Sequence, residues 1–527
     1  YDIKADQAKP IDELIDHLSQ DGSKNLDAYC DENTPSLTAH EWNALSNDEQ
    51  QTHLLHYRMT YLAESEVNWC PQLGTVLAND EVVSGVSERG GYEVEGKKMT
   101  QWMMRISSYA DRLLKGLDQI DWPEPLKEMQ RNWIGRSVGA TVCFQVSNHD
   151  TEIEVFTTRP DTLFGVTFMT LAPEHALVDM ITTDEQRDMV KSYVEQSANR
   201  SERDRMSDVK NITGVFTGAF AIHPLSGDKV PIWVGDYVLM SYGTGAVMAV
   251  PCGDQRDFEF AKHFDIPITN IFANVIIADA AHVEKGQTRI ANSGFLNGLT
   301  VAEAKQTVID YLEKIGSGKA KIEYRLRDAV FSRQRYWGEP IPVYFKNGIP
   351  HLIPEHCLPL KLPQVEKYLP TETGDPPLGN ATEWAWHEAN EKVVSVDIID
   401  SKEIFPLELN TMPGWAGSSW YFNRYMDPKN QKEFVQKDKL DYWGMVDLYI
   451  GGSEHATGHL LYSRFWQKVL FDLGYVPVDE YAQKLVNQGM ILGESAFIYR
   501  KTATQTYLSA GLIQDQNVEP IHVDVAY

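Results

Sequence analysis

A chain of 527 residues is longer than one hydrophobic core supports, so two to four domains are expected. Its 43% apolar and 23% charged residues are a globular balance that excludes wholesale disorder, and no run of about 18 apolar residues is present to form a transmembrane helix. Lys and Arg number 48 against 75 Asp and Glu, a net charge of −27, so a generic nucleic-acid binder is excluded and any nucleic acid must meet a local basic surface.

The sequence opens Tyr1-Asp2-Ile3-Lys4, with no basic or apolar signal-peptide pattern and no initiator Met, so the numbering is expected to begin inside a longer polypeptide. Five scattered cysteines (Cys30, Cys70, Cys143, Cys252, Cys357) include no CxxC pair. That argues against a disulfide framework or a thiolate zinc site and for a reducing cytosol.

Residues 1–60 are polar, with helical patterning over Ile11 to Leu18 and Ala39 to Tyr57, and read as a helical insert. From Val67 short strands and Gly-rich turns suggest a small knuckle-like module, followed by a helix expected from about Trp102 to Gly116. Between Gly139 and about Ala320 the period becomes two, as in Thr141 to Val146 and Glu152 to Phe156, and helices are expected over Glu174 to Thr182 and Val301 to Ile315. A compact α/β domain fits. After a Pro-rich stretch (Pro359 to Pro377), Val446-Asp447-Leu448-Tyr449-Ile450, then Gly451-Gly452, then a helix expected from Ser453 form a strand–glycine–helix unit of the nucleotide-binding kind.

Three constellations carry chemistry. In Thr157-Thr158-Arg159-Pro160-Asp161-Thr162-Leu163-Phe164-Gly165, three threonines and an arginine crowd a strand end, where hydroxyls can hold a water or a ribose; a capped β-turn is the structural alternative. Gly243 to Pro251 is an apolar strand after a Gly-rich turn, feeding a helix with Asp254 and Asp257 in its first turn. Asp254 reads as a helix cap, whereas a carboxylate at Asp257 also suits a cationic ligand such as an α-ammonium. In Gly451-Gly452-Ser453-Glu454-His455-Ala456-Thr457-Gly458-His459, two imidazoles one helical turn apart suit a phosphate and ribose; two core histidines are the alternative, and HExxH is absent. Ser332 to Gly338, Ser418-Ser419-Trp420-Tyr421 and Gln488-Gly489-Met490 are weaker signals, each readable as packing or turn.

Together with Val67-Asn68-Trp69-Cys70-Pro71, Gln130 to Ser137 and Arg327-Asp328, these strings follow, in order from about Tyr61 to Gly493, the pattern of the bacterial leucyl-tRNA synthetases, and the chain resembles that class I aminoacyl-tRNA synthetase family. The resemblance implies an α/β multidomain fold: part of a class I Rossmann-type catalytic domain, with an inserted mixed α/β, β-barrel-like editing domain and a small knuckle-like module. The implied division is 1–60 helical insert, 61–136 connective module, 137–321 editing domain, 322–400 return to the catalytic domain with an insert, and 401–527 second half of the Rossmann-type domain. HIGH and KMSKS, the family's ATP-phosphate signatures, occur nowhere in the sequence, so an internal fragment is expected.

The family's function is ATP-dependent leucylation of tRNA-Leu with hydrolytic editing of mischarged tRNA, and this chain is expected to retain the editing part. The alternatives are a stand-alone trans-editing deacylase and an inactive tRNA-binding fragment. By resemblance, Asp257 anchors the α-ammonium, Thr162 crowds the side-chain pocket against leucine, Thr157, Thr158 and Arg159 position the terminal adenosine and the water, and Tyr242, Met248 and Asp254 line the pocket. On the synthetic side, Glu454, His455 and His459 lie near adenosine and leucine, Ser418, Tyr421 and Tyr449 shape the leucine pocket, and Gln488 and Met490 lie near the adenine. Expected partners are tRNA-Leu, leucine and ATP with Mg2+, without DNA or membrane, in a monomeric cytoplasmic enzyme. No zinc is expected, because Cys70 stands alone in the knuckle.

Overall fold

The computed structural model describes residues 1–523 apart from 32, 78–81, 84, 88–89, 199–204, 206–210, 241–242, 283–287, 372–373, 490–495, 502–505 and 514–517. At the start, helices Ile11–Asp21, Ala39–Ala44 and Asn47–Leu55 pack around Leu18, Trp42 and Leu54. The single helical run expected from Ala39 is two helices. Thr38 with Glu41 and Ser46 with Glu49 each form a reciprocal capping box, and the second box starts a new helix where the first ends.

Strand Thr60–Cys70 pairs antiparallel with Glu95–Met104, in register from Thr60↔Met104 to Trp69↔Glu95, and Ala329–Val330 later joins the same sheet beside Met103 and Met104. This corrects the helix expected from Trp102. Trp102 and Met104 alternate into the core, and the Trp102 indole N–H donates to Glu408 Oε2 at 2.6 Å. Pairing with a remote strand outweighs the weak local helical preference, and the helix begins only at Ala110.

Helix Glu124–Ile134 ends at Gly135, whose left-handed φ of 59° turns the chain into strand Arg136–Val146. That strand opens a seven-stranded sheet ordered Ala246–Ala249, Phe168–Leu171, Lys229–Val234, Val215–Ile222, Arg136–Val146, Gly318–Tyr324, with Glu152–Thr157 also paired to Arg136–Val146. All pairs are antiparallel except Lys229–Val234 with Phe168–Leu171. The entering and leaving strands are neighbours, from Arg136↔Tyr324 to Val142↔Gly318, so the whole unit hangs from two adjacent connections. Helix Val301–Ile315 forms as expected, between a Thr300–Glu303 capping box and a left-handed Gly316. The helix expected over Glu174 to Thr182 is only Leu177–Ile181, because Pro173 to Ala176 make a turn and His175 Nδ1 accepts from Leu177 N–H.

Beyond it, hairpin Val343–Lys346 with Ile349–Leu352 and the three-stranded sheet Lys392–Val394, Ala385–His387, Ile404–Pro406 enclose Tyr344, Trp384, Trp386 and Phe405. Val446–Gly451 then runs parallel to Ala482–Asn487, joined through helix His459–Asp472, a β–α–β unit. The helix expected from Ser453 starts six residues later, at His459. Ser453–His455 is a single 3-10 turn, and Gly458 leaves helical geometry at ψ −106°. Beneath this unit Glu480 holds two buried cations: Arg464 Nε and Nη2 donate to its carboxylate at 2.9 and 2.6 Å, and Lys468 Nζ lies 2.9 Å away. Gln130 accepts from Arg464 at 2.8 Å and donates to the Ala456 carbonyl at 2.8 Å, tying the helix that enters the inserted unit to the turn carrying His455.

Candidate active site

Strand Glu152–Thr157 runs directly into the threonine-rich turn. Pro160 sits at the first position of the 3-10 turn Pro160–Gly165, where its missing N–H leaves no bond unmade. Thr157 Oγ1 accepts from Arg159 N–H at 3.0 Å, and the Arg159 carbonyl takes both the N–H and the Oγ1–H of Thr162, at 3.0 and 2.8 Å. Thr162 is buried at 4% exposure, Thr157 and Arg159 are half-buried, and Thr158 is exposed. The fully buried Asp161 carboxylate holds the Arg159 guanidinium from two sides, Nε at 3.0 Å and Nη2 at 2.8 Å. Sequence reasoning gave Asp161 no role. The RPD string held the signal, since a carboxylate two residues after an arginine across a proline turn can reach back to it.

The second element is helix Gln255–His263. Asp254 is its N-cap, Oδ1 accepting from Asp257 N–H at 3.0 Å. Asp257 points back under the preceding strand, and its Oδ2 accepts from Val250 N–H at 2.7 Å. Its acidity is pushed to a pKa of about 8, first by burial and then by the neighbouring Asp254 charge, against the opposing pull of the Val250 N–H and Arg256. No cationic side chain forms a salt bridge with it among the described residues. A buried carboxylate in this state can accept a small cation, which would restore its ionisation.

The two elements meet at Val250–Cys252. A Cβ on Gly165, at the end of the threonine turn, would lie 3.1 Å from Val250 Cγ1 and 3.2 Å from Cys252 Sγ, while Asp257 bonds Val250 from its own side. Burial pushes the Cys252 thiol up to about 11, with Arg159 lowering and Asp257 raising it, so both charged groups act on one atom. Met248 is buried on strand Ala246–Ala249, opposite Met169. Tyr242 lies outside the described residues.

A separate constellation forms on the β–α–β unit. The Tyr449 hydroxyl lies 2.5 Å from that of Tyr421 and 2.8 Å from His459 Nε2, and the His455 and His459 rings meet edge to face at 6.3 Å. Burial, then the neighbouring His455, lowers the His459 pKa, while burial raises that of the Tyr449 phenol. A cleft of about 660 Å³ opens beside Tyr421, Tyr425, Trp443 and Tyr449. The Glu454 carboxylate folds over Gly452, where any Cβ would sit 2.0 Å from Oε2. Ser418, at the end of helix Gly414–Ser418, and Gln488, beyond strand Ala482–Asn487, are exposed and line no part of that cleft; Met490 is outside the described residues.

Ser332 and Gln334 of the arginine-rich string are buried and bonded to Gln101, a packing role. Among the described residues one group has metal-donor atoms within 4.8 Å of one another, His356, Cys357 and Glu391, on the surface of the hairpin module. There His356 Nε2 and Glu391 Oε2 already pair at 2.7 Å.

The profile described as leucyl-tRNA synthetase, editing domain, matches residues 131–313, the span that contains both halves of the first site. Along its whole length the chain is 61% identical to the leucine--tRNA ligase of Flavobacterium johnsoniae and 58% identical to that of Christiangramia forsetii, covering 56% and 57% of those proteins. Among solved structures it resembles the agnB2 LeuRS of Agrobacterium radiobacter K84, solved as a ternary complex with tRNA and LeuAMS, at TM-score 0.65 and 34% identity, over 90% of this chain and 53% of that one. Fold and site define a class I aminoacyl-tRNA synthetase architecture with an inserted editing domain. Within that class the chain is similar to the leucyl-tRNA synthetases, residues 131–313 matching their editing domain, and it spans little more than half the length of the curated relatives it matches.

Proposed function

We propose that the unit 137–321 is a hydrolytic editing domain acting on mischarged tRNA-Leu, and that the protein to which this chain belongs is a leucine–tRNA ligase. The observation that carries the reading is Asp257, a buried carboxylate without a salt-bridge partner among the described residues, packed through Val250 against the turn that presents Thr162. An α-ammonium is the small cation an aminoacyl ester brings, and its binding would return Asp257 to the ionised state. Thr162, held by two bonds to the Arg159 carbonyl, would form the wall that bars leucine. Arg159, held by Asp161, would meet the terminal adenosine, with Thr157 and Thr158 beside the attacking water and Met248, Tyr242 and Asp254 around the pocket.

Such a site is needed because an aliphatic pocket discriminates by only about 1–3 kcal/mol per methylene, so near-isosteres are charged and must be removed. Hydrolysis of an activated ester asks for a placed water, a placed carbonyl and the neighbouring ribose hydroxyl, and positioning alone contributes several kcal/mol. No metal is part of this proposal, and no structural zinc is assigned to the Cys70 module.

The synthetic reading is assigned to 322–400 and 401–527, with 1–60 a helical insert and 61–136 the connective module. Tyr421 and Tyr449 would shape the leucine pocket, with Ser418 outside the cleft they line; Glu454, His455 and His459 would lie near the adenosine and leucine, and Gln488 and Met490 near the adenine. ATP with Mg2+, leucine and tRNA-Leu are its substrates. The protein is proposed to be monomeric and cytoplasmic, without DNA or membrane partners; no helix among the described residues is long and apolar enough to cross a membrane. The test is deacylation of norvalyl- or isoleucyl-tRNA by this chain. Hydrolysis that is lost in Asp257→Ala supports the reading, and failure to deacylate any mischarged tRNA overturns it.

A further inference from the structure

His223 closes strand Val215–Ile222 and stands at the start of the hairpin turn into Lys229–Val234, 60 residues from the threonine turn. It is buried at 4% exposure. Its Nδ1 accepts two backbone N–H groups, those of Leu225 and Ser226, at 3.2 and 3.1 Å. Two donors on one ring nitrogen leave no place there for a proton, so the imidazole is neutral and carries its hydrogen on Nε2. That Nε2–H points out of its own hairpin and donates to the Leu163 carbonyl at 2.9 Å. Leu163 is the residue after Thr162, and the Phe164 ring packs on the imidazole at 5.9 Å. On its far side the same turn presses Gly165 against Val250 and Cys252. The turn is thus held between His223 and the strand that Asp257 braces.

We propose that His223 is the positioning residue that sets how far Thr162 projects into the editing pocket, and so decides which acyl groups are hydrolysed. This rests on the editing function proposed above. His223 does not meet the substrate. Through the Leu163 carbonyl it fixes the 3-10 turn at the depth where the threonine wall excludes leucine while admitting a smaller or unbranched side chain. Without that bond the turn keeps its internal hydrogen bonds but loses the clamp on one flank, and the wall recedes.

Protonation has the same consequence. A second ring hydrogen would be aimed at the Leu225 and Ser226 N–H groups and break the arrangement. Burial lowers the imidazole pKa and prevails over the Leu163 carbonyl and the Asp228 carboxylate at the other end of the hairpin turn, both of which favour protonation. The rings of Phe144 and Phe164 supply the remaining faces.

The experiment is deacylation of leucyl- and norvalyl-tRNA-Leu by this chain and two variants. His223→Gln reaches Leu163 with an amide N–H in the Nε2 position. His223→Asn keeps an acceptor at the Nδ1 position but is too short to reach Leu163. The leucyl-to-norvalyl rate ratio is expected to rise at least about tenfold in His223→Asn, the scale on which one methylene is discriminated, and to stay near wild type in His223→Gln. A wild-type ratio in His223→Asn, or an equal rise in both variants, overturns the proposal. The unsubstituted chain gives the same test: its ratio is expected to rise as pH falls below the ordinary imidazole value of about 6.5, and a ratio flat down to the acid limit of folding counts against it. If the wild-type chain hydrolyses no norvalyl-tRNA, the editing function itself fails and this inference with it; hydrolysis with an unmoved ratio removes the inference alone.

Discussion

The carboxylate of Asp257 reaches back seven residues, from the first turn of its helix to the backbone N–H of Val250, 2.7 Å away. Through that bond one side chain settles both the end of strand Ala246–Ala249 and the wall against which the threonine turn rests. The same placement takes the carboxylate out of water without a salt-bridging cation among the described residues, and the consequences are measurable.

Asp257→Asn keeps an acceptor for Val250 N–H and removes the ionisation. In the wild-type chain the folded pKa, about 8, lies above the unfolded value of 3.8. The folded state therefore binds the proton more tightly, and stability is lost as pH rises between those two values and is level above the upper one. Denaturant titrations are expected to show Asp257→Asn equal to wild type below about pH 4 and more stable above about pH 8, the gap widening by at most about 1.4 kcal/mol per pH unit. Loss of stability in the variant at pH 8 would show that the carboxylate is already compensated.

Ammonium binding requires the ionised form, so kcat/KM for mischarged ester is expected to climb with pH toward the Asp257 transition near 8. The climbing limb should vanish in Asp257→Asn along with at least about 100-fold of the activity. A rate profile with the same limb in the variant would assign it to another group.

Thr162→Ala removes the methyl and hydroxyl that close the pocket, together with the bond to the Arg159 carbonyl. Stability should fall by about 1 kcal/mol, and leucyl-tRNA should become a substrate. Thr162→Val keeps the volume and should continue to exclude leucine, which separates sterics from hydrogen bonding when the two ester rates are compared.

Asp161→Asn leaves the Arg159 guanidinium without the charge that orients it. Because Arg159 is about one-third exposed, water offsets part of the loss, and a stability decrease of roughly 1–2 kcal/mol is expected from thermal unfolding. The larger effect should be on KM for tRNA ester; an unchanged KM would remove Arg159 from the binding surface.

Glu480→Ala leaves buried Arg464 without a carboxylate partner and buried Lys468 with Asp479 alone, beneath the turn that bears His455. A destabilisation of about 3–5 kcal/mol is expected by urea unfolding. Glu480→Gln should recover part of it through its remaining hydrogen bonds.

Much of this architecture was legible along the chain. Period-two alternation over Thr141 to Val146 and Glu152 to Phe156 marked strands Arg136–Val146 and Glu152–Thr157, amphipathic spacing marked helix Val301–Ile315, and Asp254 was identifiable as a helix cap. Each of these rests on hydrogen bonds and side-chain spacing within about four residues, which a linear string states directly. Trp102 lies in a strand because Leu62 pairs with it 40 positions earlier, and the helix after Gly452 waits until His459 because of backbone geometry at Gly458. The clamp of Asp161 on Arg159 and the lifted pKa of Asp257 arise from burial, which is a property of the assembled core. Sequence alone therefore determined the elements set by local spacing and the residue types of the site. Tertiary structure decided which carboxylate is desolvated, which arginine is held, and that His223 meets Leu163, because desolvation and contact depend on neighbours that only folding brings within a few ångströms.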